Sequence, residues 1–269
     1  MNARAPTSLE ILSALPATGA NGERPPLLFV HGAHAGAWCW QEHFLPFFAE
    51  RGWAAHAVSL SGHGGSPGRE YLDALSIDDY VRDLREAIAT LPASPVLIGH
   101  SMGGFVVQKL LETQPAPAAA LMCAVPPGGM WSSALGLAIR RPGLLFALNR
   151  LAGGGNIGPR ALVEAMFHQP LPTELLERYF LQMQGESQRA IWDMLGFALP
   201  HPSRRNCAHV LVMGAAEDAL IPVAGVRQTA SQWGVEPLII PGIGHGMMLE
   251  AGWRAAADPL AAWLENLPI

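Results

Sequence analysis

The chain of 269 residues is 50% apolar and only 14% charged, a balance that excludes an extended disordered protein and suits one large domain with room for an insertion. Its 29 glycines and 23 prolines follow no period, so they mark turns rather than a collagenous repeat or a linker. The net charge of −5, with no cluster of basic residues, argues against a nucleic-acid partner.

Residues 1–20 show no basic flank, apolar core and cleavage site in sequence, so no secretory signal is expected. From there the first half alternates two patterns. Short apolar runs at Leu27–Val30, Ala54–Leu60, Pro95–Ile98 and Ala118–Val125 predict strands buried on both faces. Amphipathic stretches at Trp38–Arg51, Ile77–Leu91 and Met102–Thr113 predict helices between them. Such alternation implies right-handed βαβ units and a parallel sheet. The uncharged run Thr113–Ile139 is long enough for a membrane span, but four prolines and the Gly128-Gly129 pair exclude a spanning helix. A soluble, cytoplasmic protein with no membrane partner is therefore expected.

After Pro127 the alternation stops. The segment Pro127–Arg205 has eight arginines against five acidic residues and carries Met130, Trp131, Phe167, Trp192 and other large apolar side chains. It predicts an inserted helical subdomain, dividing the chain into a core from 1 to 126, an insertion from 127 to 205 and a second core part from 206 to 269. Alternation resumes with a strand at Val210–Met213, a helix at Val223–Trp233, a strand at Glu236–Ile240 and a last helix at Leu249–Leu267.

The strongest chemical signal is Gly99-His100-Ser101-Met102-Gly103, set directly between an expected strand and an expected helix. A serine on so sharp a turn needs small neighbours two residues away on either side, and its hydroxyl then stands at a helix N-terminus. The alternative is a plain glycine-rich turn. Upstream, Leu27–Val30 runs into His31-Gly32-Ala33-His34-Ala35-Gly36, a loop of small residues able to aim backbone N–H groups at a developing oxyanion. Downstream, Glu217-Asp218 follows one strand and Gly244-His245 follows the next. An acid, a histidine and a serine at the carboxyl ends of strands share the edge where open α/β sheets bind ligands. The serine hydroxyl needs a base to take its proton, histidine serves near neutral pH, and the acid orients the imidazole.

These pieces, with Gly62-His63-Gly64-Gly65-Ser66 and the stretch from Asp218 to Pro222, resemble the α/β-hydrolase superfamily along essentially the whole chain. The loop from His31 to Trp40 is similar to its small esterase and hydroxynitrile lyase branch, although Ala35 stands where that branch usually has a histidine. The resemblance implies an α/β-hydrolase fold: a mostly parallel central sheet flanked by helices, with a helical cap inserted after the sixth strand. It implies Ser101, Asp218 and His245 as the triad, with Asp218 preferred over Glu217 by its distance from Pro222. It implies oxyanion donors at the N–H groups of Ala33 and Met102, and a cap over the site that brings Met130, Trp131, Phe167 and Trp192 to the substrate. His63 falls in a loop of structural character.

The function expected is cleavage of a carboxylic ester of a small to medium hydrophobic substrate through an acyl-enzyme, without metal or organic cofactor. The three cysteines, Cys39, Cys123 and Cys207, form no framework, and the ten histidines include no HExxH pair. The same triad also serves C–C bond, thioester and perhydrolysis chemistry, and some members of the superfamily act mainly as small-molecule receptors. A serine nucleophile argues against dehalogenase and epoxide hydrolase chemistry. Gly246, where lyases of the branch carry a lysine, argues against cyanogenic activity.

Overall fold

The computed structural model describes residues 8–17, 24–131, 159–201 and 206–269, with isolated positions between 142 and 150. Among the described residues, seven strands form one sheet in the order β1-β3-β2-β4-β5-β6-β7. They are β1 Ile11–Ala14, β2 Leu27–Val30, β3 Ala55–Val58, β4 Val96–His100, β5 Ala119–Met122, β6 Val210–Ala215 and β7 Pro237–Ile240. All pairs are parallel except β1 with β3, whose antiparallel register sets Ile11 opposite Val58.

The continuous apolar runs are buried on both faces, as a covered parallel sheet requires. Alternate residues of each strand serve opposite cores. Leu27, Phe29, Val96 and Ile98 pack with α1 (Trp38–Gln41), α2 (Phe44–Glu50) and α9 (Arg254–Glu265). Leu28, Val30, Leu97 and Leu121 pack with α3 (Ile77–Ala89), α4 (Met102–Leu110) and α8 (Val223–Trp233). Ser76 and Asp79 close a reciprocal capping box at the start of α3, and Gly234, at φ 71°, ends α8 in the left-handed region that glycine adopts freely.

Four expected helices are shorter than their amphipathic stretches, α3 and α4 by two or three residues at the end and two others by more. Trp38–Arg51 divides in two because Pro46 cannot donate to the Glu42 carbonyl and its ring would collide with it. The helix restarts at Phe44, which leaves Pro46 in a first turn, where no partner is needed. Leu249–Leu267 is helical only from Arg254; the residues before it are turns tied by Leu249 N–H to Gly246 and Trp253 N–H to Glu250.

The insertion follows β5, the fifth strand among the described residues, as the cap insertion expected from the family resemblance. Its described part is helical: α5 (Pro159–Met166), α6 (Thr173–Gln182) and α7 (Gln188–Trp192), the last running into a π-helical turn over Asp193–Phe197. Residues 202–205 and most of 132–158, which belong to the expected cap, lie outside the described residues. No helix among the described residues is long and apolar enough to cross a membrane.

Candidate active site

Ser101 follows β4 at once and precedes α4, with φ 51° and ψ −117°. A non-glycine residue rarely holds a positive φ, and that strain is sustained here by close packing on both sides. A Cβ on Gly99 would stand 2.6 Å from the Gly103 carbonyl, and one on Gly103 would stand 2.4 Å from the carbonyls of Val30 and His31. Strand, turn and helix therefore approach as closely as backbone allows, which is why small residues flank the serine.

Three strand ends bring the chemistry together. Asp218 follows β6 and His245 follows β7, on the same edge of the sheet as Ser101. His245 Nε2 lies 3.0 Å from Ser101 Oγ, and His245 Nδ1 lies 2.8 Å from Asp218 Oδ2. A carboxylate can only accept, so Nδ1 carries a proton and Nε2 is left to take the one on Ser101. The other Asp218 oxygen accepts from the N–H groups of Leu220 at 2.7 Å and Ile221 at 2.8 Å. Burial alone would raise this carboxyl, but the charge and hydrogen bond of His245 and the two amides outweigh it and hold its pKa below the ordinary value. The neighbouring Glu217 points elsewhere and accepts from the Gly242 N–H at 2.7 Å.

Cys123 also lies beside this group. Burial, with the Asp218 charge next, keeps its pKa well above the usual thiol range. Donor atoms of Cys123, Asp218 and His245 all lie within 4.8 Å of one another. Asp218 is hydrogen-bonded to His245 there, and the Cys123 thiol packs beside the pair.

Gly32 packs so closely that a Cβ would stand 3.0 Å from that of Ser101. This places the loop after β2, with Ala33, beside the nucleophile. Met102 opens α4, where the first N–H groups lack acceptors within the helix. Ala33 and Ser101 both line an enclosed, mainly apolar cavity.

The cap supplies one side of the cavity wall, with Leu162, Ala165, Met166 and Phe167 on or just beyond α5 and Tyr179, Phe180 and Met183 on or just beyond α6; residues of the core supply the rest. Of the four cap residues expected at the substrate, Phe167 lines this cavity, whereas Met130, Trp131 and Trp192 do not. Met130 packs on the opposite core, and Trp131 and Trp192 are exposed. Short helices bury one face each, and composition does not say which face meets the cavity.

Several residues that hold the site had no sequence signature. Glu250 is fully buried, and its carboxylate accepts from the N–H groups of Gly244 at 2.7 Å, His168 at 2.6 Å and Gln169 at 3.2 Å. It ties the loop of His245 to the cap, as does the 2.7 Å bond from Gly246 N–H to the Met166 carbonyl. Glu186, discussed below, ties the cap to the loop of Ala33. Both are single acids outside any motif, matched to partners distant in the chain.

His31 and His100 are structural. His31 Nδ1–H donates to the Gly32 carbonyl at 2.8 Å, and its Nε2 accepts from the Leu60 N–H at 3.0 Å. His100 Nε2–H donates to the His245 carbonyl at 2.9 Å. Burial is the main cause that lowers both pKa values to about 3, from 6.5. At these two rings the unfolded chain therefore binds two more protons than the native one below pH 6.5, and their contribution to stability falls as the pH drops from there. The slope is about 1.4 kcal/mol per pH unit for each histidine. Urea unfolding at about pH 7 and about pH 5 should show this loss; equal stability at the two values would mean that these rings are protonated in the fold.

A model of the alpha/beta hydrolase family matches residues 27–259. Among curated proteins, a pyrethroid hydrolase of Sphingobium wenxiniae is 28% identical over 77% of this chain and 76% of its own length. Polyneuridine aldehyde esterase of Rauvolfia serpentina is 37% identical over 33% of each chain. The chain spans about a third of the length of the first curated relatives it matches. Among solved structures, an esterase from Exiguobacterium antarcticum superposes with a TM-score of 0.72 at 17% identity, over 97% of this chain and 96% of that one. A bromoperoxidase from Bacillus anthracis does so with a TM-score of 0.68 at 18% identity, over 96% of each. At such identities these likenesses concern the fold. Fold, strand-end chemistry and family model coincide: the chain belongs to the alpha/beta hydrolase family.

Proposed function

We propose that the protein is a serine hydrolase that cleaves a carboxylic ester of a small to medium hydrophobic substrate. The observation that carries this reading is the hydrogen-bonded series Asp218–His245–Ser101 at the wall of an enclosed, mainly apolar cavity. Ser101 Oγ attacks the acyl carbon while its proton passes to His245 Nε2. The carbonyl electrons move onto oxygen, and the resulting oxyanion accepts hydrogen bonds from the N–H groups of Ala33 and Met102. His245 then gives the proton to the departing alkoxide, leaving an acyl group on Ser101. A water molecule repeats the sequence with the same base and releases the acid.

Apolar walls favour hydrophobic acyl or alcohol groups. A relative named as a pyrethroid hydrolase supports the same substrate class. Room at Gly246 also bears on the lyase alternative. A Cβ there would meet Phe167 at 3.0 Å and the Met166 carbonyl at 3.2 Å, which leaves little space for a longer side chain.

Residues 127–205 are taken as a cap that sets substrate size. Phe167→Ala and Met183→Ala should move the optimum of an ester-chain-length panel to longer chains, since a methylene in an apolar pocket is worth about 1–3 kcal/mol. Trp192→Ala, off the cavity wall, should leave the optimum in place. Ser101→Ala is the blank. An unchanged profile in both cavity variants would remove the cap from specificity, and an inactive wild type across the panel would remove the esterase reading.

A further inference from the structure

Outside the triad, a cluster of buried titratable groups lies where the cap meets the loop after β2. Glu186, 2% exposed, belongs to the cap stretch between α6 and α7. Its carboxylate accepts from Tyr80 Oη at 2.7 Å, His63 Nε2 at 3.0 Å, the Ser187 N–H at 2.7 Å and the His34 N–H at 3.3 Å. His63 Nδ1 also donates, to the Ser61 carbonyl at 3.0 Å. Both ring nitrogens thus face acceptors, as an imidazolium requires. Burial opposes both charges, yet the Glu186 charge and hydrogen bond raise the His63 pKa, and His63 in turn holds Glu186 at about 2. Buried pairs of this kind contribute little net stability against an apolar replacement, so position is the better account of it.

What the pair positions is visible one step away. Residues Gly32–Ala35 form a turn closed by the Ala35 N–H to the Gly32 carbonyl at 3.4 Å. His34 is its third residue, with φ 65°, a position and dihedral suited to glycine or asparagine. The cap holds it there at three points. Besides the Glu186 bond, the Gln184 N–H donates to the His34 carbonyl at 3.1 Å, and His34 Nδ1–H donates to the Gln184 carbonyl at 3.0 Å. If His34 relaxed to negative φ, the Ala33–His34 peptide would turn over and the Gly32–Ala35 turn would open. The Ala33 N–H, which opens that turn, would then lose the frame that fixes its direction.

We propose that Glu186 is a positioning residue for the oxyanion hole: anchored on His63, it holds the His34 amide from the cap side. The turn Gly32–Ala35 then keeps the Ala33 N–H aimed at the substrate oxygen. Formation of the hole thereby depends on the seating of the cap. This inference rests on the serine-hydrolase reading above.

The test compares wild type with Glu186→Ala on a short activated ester, with kcat expressed per active site titrated to completion. It adds a short-chain alkyl trifluoromethyl ketone, which Ser101 Oγ attacks at the carbonyl carbon to give a hemiketal oxyanion as His245 takes the serine proton. The matching alkyl alcohol serves as a ligand that needs no oxyanion hole. In E186A, kcat should fall about ten- to hundredfold, ketone affinity should fall by a similar factor, and KM and alcohol affinity should stay within about threefold. Adding His34→Gly to E186A should restore part of kcat, because glycine holds positive φ without help. A folded E186A with kcat within about twofold of wild type, or with lowered kcat but unchanged ketone affinity, overturns the inference. If E186A does not fold, Glu186→Asp carries the test. Its shorter carboxylate keeps the charge for His63 and draws back from His34, so kcat and ketone affinity should fall together by about fivefold, and parity with wild type overturns the inference. A wild type inert to both ester and ketone overturns the serine-hydrolase reading and this inference with it, whereas an active wild type with parity overturns this inference alone.

Discussion

Replacing Ser101 by alanine should lower kcat on a short activated ester by roughly 10⁶, the scale of loss when the nucleophile is removed from a triad that works as a unit. Organophosphonate labelling of the protein should vanish with it. His245→Ala should abolish most labelling as well, because the serine hydroxyl reacts quickly only when a base 3.0 Å away takes its proton. The fold should survive both changes, since neither side chain is a large part of the core. Mass spectrometry of the labelled peptide identifies the site. Labelling at another residue, or none in a folded wild-type sample, would remove Ser101 as the nucleophile.

The second large effect is expected at the acid. Asp218→Asn should lower kcat by roughly 10³–10⁴, because the amide can present an N–H to His245 Nδ1 and so stabilise the wrong tautomer. Nε2 would then carry the proton and could not accept one from Ser101. The change also removes the charge that stabilises the imidazolium. Glu217→Gln should change kcat by less than about tenfold, because that side chain supports the Gly242 N–H and faces away from His245. Steady-state kinetics of the two variants decide the matter, and the opposite ranking would make Glu217 the acid.

The central strands β2, β3, β4 and β5 were legible because they are buried on both faces and lie in mainly apolar runs, and β6 and β7 because short apolar runs resume there after the insertion. β1 was not. It is a four-residue edge strand in which Ser13 is the most exposed member, and its 2.7 Å bond to His56 belongs to the pairing with β3 rather than to any local pattern. The start of α2 was hidden for a similar reason: amphipathic spacing runs through Glu42 and His43 without a break, and His43 turns to stack on Trp253 at 4.7 Å. Local periodicity reports which residues are apolar, not where a distant ring will dock.

The same division separates the triad from its supports. Ser101, Asp218 and His245 could be read from the chain because each sits just past the end of a strand, and the parallel sheet puts those ends on one edge whatever the loops do. The residues that hold them work across long separations: Glu186 reaches His63 and His34, Glu250 reaches His168, and Cys123 packs beside Asp218. Which apolar cap residues meet the cavity was likewise decided by the docking of α5 and α6. The sequence by itself determined the sheet and the placing of Ser101, Asp218 and His245 at one edge of it, because apolar patterning and turn chemistry are local properties. Only the tertiary structure decided the cavity wall and the buried acids that brace it, because a lone carboxylate acquires its role from donors that folding brings to it.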